Sequence, residues 1–431
     1  MSRNIDDILN KAFEVLKKYP LCDRCLGRLF AKYGLGLSNA ERGRALKTLI
    51  AMEIHRKALN SRSLDEVKEE LLTIASNSGE PVTTIARNLI GEVKVNKCVV
   101  CEDSLNHLIG ELTVKVVEAL KEYSITSFLI GVEKNSNIEL KEKHVFEGLG
   151  IDTWESIRRE IRREVGKRVQ GLLNIPPDFK KPDAVAIINL DKNSVKVVVK
   201  PVYIYGRYLK LGRNISQRWW FTREGTKRYP LSIEGVAEKV RTLFKADGIN
   251  IHAAGREDVD VRMMGNGRPI VIEVLNPKIR GVNLNIVNET LKEEPWVSIK
   301  IEGYADLSLV REIKQSKKPK TYRAIIYSDK PFTNEDLLRI FTALNNCEIR
   351  QRTPKRILKR KKDVLRTRKV YSVNGKLLND HVAELILKCE SGLYVKELIT
   401  GDEGRTTPSV ASLLGREVSV LFLDVLDYPL T

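Results

Sequence analysis

Long apolar stretches are missing from this chain. No apolar run approaches the roughly 20 residues that a membrane-spanning helix needs, so no membrane association is expected. Residues 1–10 are polar and mixed in charge, with no signal peptide behind them. A reducing, cytoplasmic setting is therefore the expectation. There is no GxGxxG string and no Walker A string, which weakens dinucleotide and triphosphate readings. No clear short repeat occurs. Acidic residues are in deficit: 56 Asp and Glu face 74 Lys and Arg, a formal net charge of +18. A surplus of that size favours a polyanionic partner, most simply nucleic acid. Hydrophobic residues still make up 42% of the 431. That suffices for a substantial core and excludes wholesale disorder. At roughly 150 residues per domain, the length suits about three domains.

Cysteine is scarce as well, with six residues that divide two ways. Cys22 and Cys25 form one pair with two residues between them, and Cys98 and Cys101 form another. That spacing lets both thiolates of a pair meet one ion, and four soft sulfurs suit a tetrahedral structural zinc with no open position for a substrate. The 72 residues between the pairs mean that the metal would staple an N-terminal helical element to a distant segment. The alternative is two unrelated pairs or buried free thiols. Cys347 and Cys389 read as packed thiols.

The pattern of apolar residues points to an α+β protein. Ile8, Ala12, Leu16 and Tyr19 recur at helical spacing over residues 5–19, and Pro20 stops the helix. Ser38 followed by Glu41 fits a capping box. Residues 102–122 read as helix, 152–168 as one or two helices, and 184–199 as a hairpin turning at 191–193. A different texture begins near Tyr203. There, residues 232–244 read as one helix and Thr333 caps another that runs to Leu344. Strands are expected at 270–274, 298–307, 322–327, 370–373, 382–389 and 418–428. They lack the regular strand–helix alternation of a crossover sheet, so much of this sheet should be antiparallel.

Two basic clusters stand out. Residues 351–369 carry ten Lys or Arg against one Asp. Pro354 and the density of cations suit a mobile loop or an extended hairpin that grips RNA phosphate through Arg352, Arg356, Arg360, Arg366 and Arg368. A solvated helix face is the alternative. The second cluster sets Arg207, Lys210, Arg213 and Arg218 beside Tyr208 and Trp219. Cations mixed with flat rings fit unpaired nucleotides, although Trp219 and Trp220 equally suit core packing.

The most informative stretch is Gly255-Arg-Glu-Asp-Val-Asp-Val-Arg-Met-Met-Gly-Asn-Gly-Arg-Pro269. Glycines permit tight turns and close approach to a ligand. A carboxylate beside arginine stays ionised and available as a nucleophile. Asp258 and Asp260 share a side if the segment is extended, which would also suit a metal pair in a nuclease. His252 is the only imidazole nearby. Residue chemistry alone leaves nucleotide hydrolysis, RNA modification and non-catalytic binding open.

Gly255-Arg-Glu-Asp258 resembles motif II of pseudouridine synthases. The longer string resembles that of the archaeal and eukaryotic tRNA pseudouridine synthases that act in the T-loop, at tRNA positions 54 and 55. Tyr208-Leu-Lys-Leu-Gly-Arg-Asn-Ile-Ser-Gln217, Lys320-Thr-Tyr322, Gln351-Arg-Thr-Pro354, Tyr394-Val-Lys-Glu-Leu398 and Gly401-Asp-Glu-Gly-Arg-Thr406 match the same family in order. Met264, where Leu is expected, and Lys359-Arg360, where the basic string usually contains histidine, are the departures. The N-terminal half is similar to the family's accessory region, with a THUMP domain and a four-cysteine zinc site.

The resemblance implies a helical, zinc-linked element at 1–60, a THUMP-containing region at 61–200 that completes the zinc site, and a mixed, largely antiparallel catalytic domain at 201–431. It implies that Asp258 is the nucleophile toward uridine, that Tyr322 stacks on the base and assists proton loss, and that Lys396 pairs with Asp258. Leu398 would wall the base, and Arg256 would organise the flipped nucleotide. Asp260 would hold the loop. The partner would be tRNA, held at its acceptor end and T-loop. Structural Zn2+ is expected, with no organic cofactor, no catalytic metal and no obligate protein partner. The rivals are a non-catalytic tRNA-binding or chaperone protein and a THUMP-containing methyltransferase or thiouridine synthase. The last two need an S-adenosylmethionine site or an ATP pyrophosphatase loop, and neither string is visible.

Overall fold

A computed structural model describes residues 5–61, 63–316 and 318–427. The chain divides into two compact units, Met1–Lys200 and Pro201–Thr431. Among the described residues, no helix is long and apolar enough to cross a membrane.

The first unit is mainly helical. Helix Ile5–Lys18 stops short of Pro20 as expected, because proline cannot donate within a helix. Helix Asn39–Asn60 starts with the expected box: Ser38 Oγ accepts from Glu41 N, and the Glu41 carboxylate accepts from Ser38 N at 2.7 Å. Helices Asp65–Ser78 and Val82–Ile90 follow, at positions for which the sequence carried no clear expectation. Helices Leu105–Lys121 and Ile157–Leu173 pack on a three-stranded sheet of β1 (Phe128–Val132), β2 (Ala184–Asn189) and β3 (Ser194–Val199). β1 and β2 are parallel, and the expected hairpin joins β2 to β3. One apolar core runs through the whole unit from Ala12 to Val199.

The second unit is built on one mixed sheet. Its strands are β4 (Val202–Lys210), β5 (Gly248–Ala253), β6 (Arg262–Leu275), β7 (Val297–Ala305), β8 (Lys320–Tyr327), β9 (Cys347–Gln351), β10 (Arg366–Asn379), β11 (Val382–Cys389), β12 (Thr406–Thr407) and β13 (Ser419–Asp427). Among the described residues their order is β12-β9-β10-β11-β8-β13-β6-β4-β7, with β5 paired to β6. Every pairing is antiparallel except β13 with β6. The expected strand end at Tyr428 lies outside the described residues.

Three expectations are corrected here. The helix expected over residues 232–244 is two short ones, Ile233–Ala237 and Val240–Leu243. A tighter turn between them, with Lys239 N bonded to Val236 O, keeps Ile233, Val236, Val240 and Phe244 all buried. The strand expected at 298–307 ends at Ala305, because the Asp306 side chain accepts from Ser308 N and opens helix Leu307–Gln315. The strands expected at 270–274 and 370–373 are each 14 residues long.

The parallel β13–β6 junction divides the sheet into two halves. Gly265 makes the approach possible: a Cβ there would lie 1.5 Å from the Leu426 carbonyl oxygen, and its φ is +63°. The buried Asp424 carboxylate pins the junction. It takes two bonds from Arg262, at 2.8 and 2.7 Å, and one from Arg213 at 2.7 Å. Burial alone would raise the Asp424 pKa, but the two guanidinium groups outweigh it and hold the group below the usual carboxyl range. Its contribution is therefore complete above the ordinary carboxyl value and is lost as pH falls through the folded one. Asp424→Ala should destabilise the second unit by about 3 kcal/mol, since it strands two charges. Asp424→Asn should flatten the acid limb of a stability–pH profile; an unchanged limb would contradict this role.

Candidate active site

The loop joining β5 to β6 carries the acidic string, and it is held from beneath. Glu257 points inward, with its side chain 2% exposed. Its carboxylate accepts from Arg268 Nε at 2.9 Å and from Tyr208 Oη at 2.9 Å, and it faces Lys210 Nζ at 3.6 Å. Arg268 and Tyr208 are fully buried themselves. The clamp reaches the loop backbone at several points. Lys210 donates to the carbonyls of Ile215, Asp258 and Val259 at 3.1, 2.9 and 3.3 Å. Arg268 donates to Ala254 O at 2.7 Å, and Gln217 donates to Gly255 O and to Tyr208 Oη at 3.0 Å each. Buried charges persist only when paired in this way.

With the backbone fixed, the next carboxylate faces outward. Asp258 is half-buried and accepts from Arg356 Nη1 at 2.9 Å, with Lys396 Nζ at 3.6 Å. Lys396 is closer to Asp260, at 2.6 and 2.9 Å. Burial works against ionisation of Asp260, but the Lys396 bond and charge keep it below its usual range. Asp258, Arg256 and Tyr322 line one cavity of about 250 Å³, whose apolar walls are Leu393, Val395, Leu423 and Val425. A second cavity, of about 700 Å³, meets the first at Arg256, Asp258 and Arg356 and is lined by Trp219, Trp220 and Tyr229. Its rings carry cations: Lys227 sits 3.6 Å over Trp219, and Arg228 and Arg360 sit 4.8 and 5.1 Å over Trp220. A carboxylate at the cavity, flat apolar walls and surrounding guanidinium groups suit a planar uncharged ring on an anionic backbone.

The family model described as "Pus10, C-terminal" matches residues 203–428, and "Pus10 THUMP domain, archaeal" matches residues 112–189. The chain belongs to the Pus10 family. Among its relatives, "tRNA pseudouridine synthase Pus10" of Ignisphaera aggregans is 39% identical over 424 residues, covering 97% of this chain and 98% of the relative. The Thermosphaera aggregans protein of the same name is 41% identical over 432 residues, covering 98% and 97%. A solved Cbf5-Nop10-Gar1 complex overlaps 51% of this chain and 57% of that one at 16% identity and a TM-score of 0.28, a likeness too slight to argue from.

For this Pus10-family chain, the structure brings Asp258, Arg256, Tyr322 and Lys396 together at one cavity. It corrects five other expectations. Leu398 is fully buried in the apolar core rather than beside the cavity; the short helix Val395–Thr400 turns it inward, and Leu423 and Val425 take the wall position. Lys210 is 1% exposed and props the loop, so it is not an RNA contact. Arg207 is also buried, donating to Asn266 O and Gly267 O at 2.9 and 2.6 Å. Arg213 is tied to Asp260 O, Leu423 O and Asp424. Arg356 lies in the site itself, bridging Asp258 and Glu397.

The remaining basic residues sit on or between the antiparallel strands β9 and β10, which form a hairpin, one of the two forms expected. Arg352 and Arg360 are exposed there, Arg366 donates to Thr353 Oγ1 at 3.2 Å, and Arg368 donates to Thr367 O at 2.8 Å. Glu257 and Arg268 carried no expectation of their own, although both lie in the string around Asp258.

The second cluster lies in the first unit. The Sγ atoms of Cys22, Cys25, Cys98 and Cys101 all fall within 4.8 Å of one another. That spacing fits tetrahedral ligation. The fully buried Arg28 donates to Cys25 Sγ at 3.2 Å and pairs with Glu142 and Glu160. Lys210→Met should lower the thermal midpoint of the second unit by about 5 °C and leave the salt dependence of RNA binding unchanged. A shallower salt slope would restore Lys210 as a phosphate contact.

Proposed function

We propose that this chain isomerises uridine to pseudouridine in the T-loop of tRNA, at position 54, position 55 or both. The observation that carries the reading is the Asp258 carboxylate, clamped through its backbone at the mouth of a cavity that Tyr322 lines. Asp258 attacks the target uridine, at the base or at the ribose. The uracil detaches, turns within the cavity between Tyr322 and the Leu423–Val425 wall, and rejoins the sugar through C5. Arg356 and Lys396 orient the attacking carboxylate. Arg256, exposed at the rim shared by both cavities, steers the flipped nucleotide. The hairpin cations, Arg352 and Arg360 foremost, hold the phosphates on either side. A non-catalytic tRNA-binding protein would have no use for a nucleophile held this rigidly.

In this reading residues 1–60 and 61–200 form the element that grips the acceptor end of tRNA, and a zinc ion on the four cysteines holds it together. Zinc supplies tetrahedral cross-linking there and no chemistry. Arg28 sets one positive charge against Cys25 and links it to Glu142 and Glu160.

Two outcomes test the reading. Asp258→Asn should bind tRNA as wild type does and convert less than about one-thousandth as fast, the order expected when a nucleophile is lost; pseudouridine formed at the normal rate would sink the assignment. Replacing Cys98 and Cys101 with serine should remove one equivalent of zinc and lower the melting midpoint of the first unit. Zinc content equal to wild type would defeat the metal claim.

A further inference from the structure

Two carboxylates share one guanidinium at the candidate site. Arg356 stands on the short turn Lys355–Ile357 between β9 and β10. Its Nη1 lies 2.9 Å from Asp258 Oδ2, and its Nε donates to Glu397 Oε1 at 2.6 Å. Glu397 follows Lys396 on helix Val395–Thr400, and its side chain is 6% exposed.

Stability does not explain this burial. A buried carboxylate is costly unless its lone pairs are satisfied. Yet Glu397 Oε2 is buried and has no hydrogen-bond partner among the described residues. The hairpin is also fastened elsewhere. Asp402 accepts from Lys355 N at 3.0 Å, and Arg405 donates to Thr353 O and to Asp363 at 2.9 and 2.6 Å. What Glu397 adds is the orientation of the Arg356 guanidinium.

That orientation bears on Asp258. Arginine favours a two-bond fork on a carboxylate, and Arg262 makes one on the structural Asp424, at 2.8 and 2.7 Å. At Asp258 the closest approaches of Arg356 and of Lys396 both fall on Oδ2, at 2.9 and 3.6 Å. Oδ1 is the less encumbered oxygen.

We propose that Glu397 is a positioning residue for the isomerisation argued above, on which this inference rests. It holds the Nε edge of Arg356, keeps the guanidinium on Asp258 Oδ2, and leaves Oδ1 to attack the uridine. Without Glu397, Arg356 turns and closes its fork over both oxygens. The nucleophile is then held by two charge-assisted bonds that must break before it reacts. Glu397 touches no reacting atom and acts through Arg356.

The test uses the full chain and an unmodified tRNA transcript. Glu397→Ala should bind the transcript within about twofold of wild type and convert it about 100-fold more slowly in a single turnover, the order set by a misplaced reacting group. Glu397→Gln keeps an acceptor for Nε and should recover to within about tenfold of wild type. Added to Arg356→Met, either substitution should cost less than about twofold further, because residues that act through one contact are not additive. A crystal structure of Glu397→Ala should show two guanidinium nitrogens of Arg356 within hydrogen-bond distance of Asp258. If Glu397→Ala melts below wild type, Glu397→Gln with and without Arg356→Met decides. Conversion by Glu397→Ala within about threefold of wild type, or an equal loss with Arg356 already removed, would overturn the inference and leave the reaction standing. So would an Arg356 that keeps a single contact to Asp258. A wild-type chain that makes no pseudouridine would overturn the reaction itself.

Discussion

The candidate site rests on one buried carboxylate. Glu257 gathers Arg268, Lys210 and Tyr208 beneath the β5–β6 loop, and those partners in turn hold the backbone at Ala254, Asp258 and Val259. The next residue is thereby forced outward with its side chain at the cavity. Three charges and a phenol are removed from water to do this, a cost that only full pairing offsets. The gain is positional: a nucleophile misplaced by an ångström can lose orders of magnitude in rate. The same logic recurs where the sheet halves meet, with Asp424 between Arg213 and Arg262, and around Arg28 in the first unit.

This changes the meaning of the net charge. A formal +18 invites a picture of cations spread over an RNA-facing surface. Yet Arg28, Arg268, Lys47 and Lys210 are among the largest fully buried side chains of the molecule. They answer interior carboxylates and carbonyls. The exposed surplus is concentrated on the β9–β10 hairpin, whose Arg360 covers Trp220 and whose Arg356 reaches Asp258. One loop therefore joins the basic surface to Asp258.

Much of this was legible in the sequence, for reasons that can be named. Caps at Ser38 and Thr333 depend on local pairs, so both were readable and both are present. The four cysteines were readable because ligand spacing is local within each pair, and folding brings the two pairs together. Motif order picked out Asp258, Tyr322 and Lys396, and the three line one cavity. Burial was not readable. Lys210 and Arg207 look like surface cations in the string; three residues apart, they leave opposite faces of a regular strand, and the pairing of β4 with β6, with its register shift between Tyr208 and Lys210, buries both. Leu398 and Leu423 could not be ranked as cavity walls, since that depends on how helix Val395–Thr400 meets β13. The split at residues 238–239 likewise follows from what Ile233 and Phe244 bury, not from helix propensity.

The central claim is that a clamped Asp258 loop rearranges a T-loop uridine. Position-resolved mapping of pseudouridine in an unmodified tRNA transcript, after incubation with the wild-type chain, tests it most directly. The account predicts pseudouridine at position 54, position 55 or both, and at no other uridine of the transcript. A transcript recovered with its uridines unchanged, or modified only outside the T-loop, would contradict it.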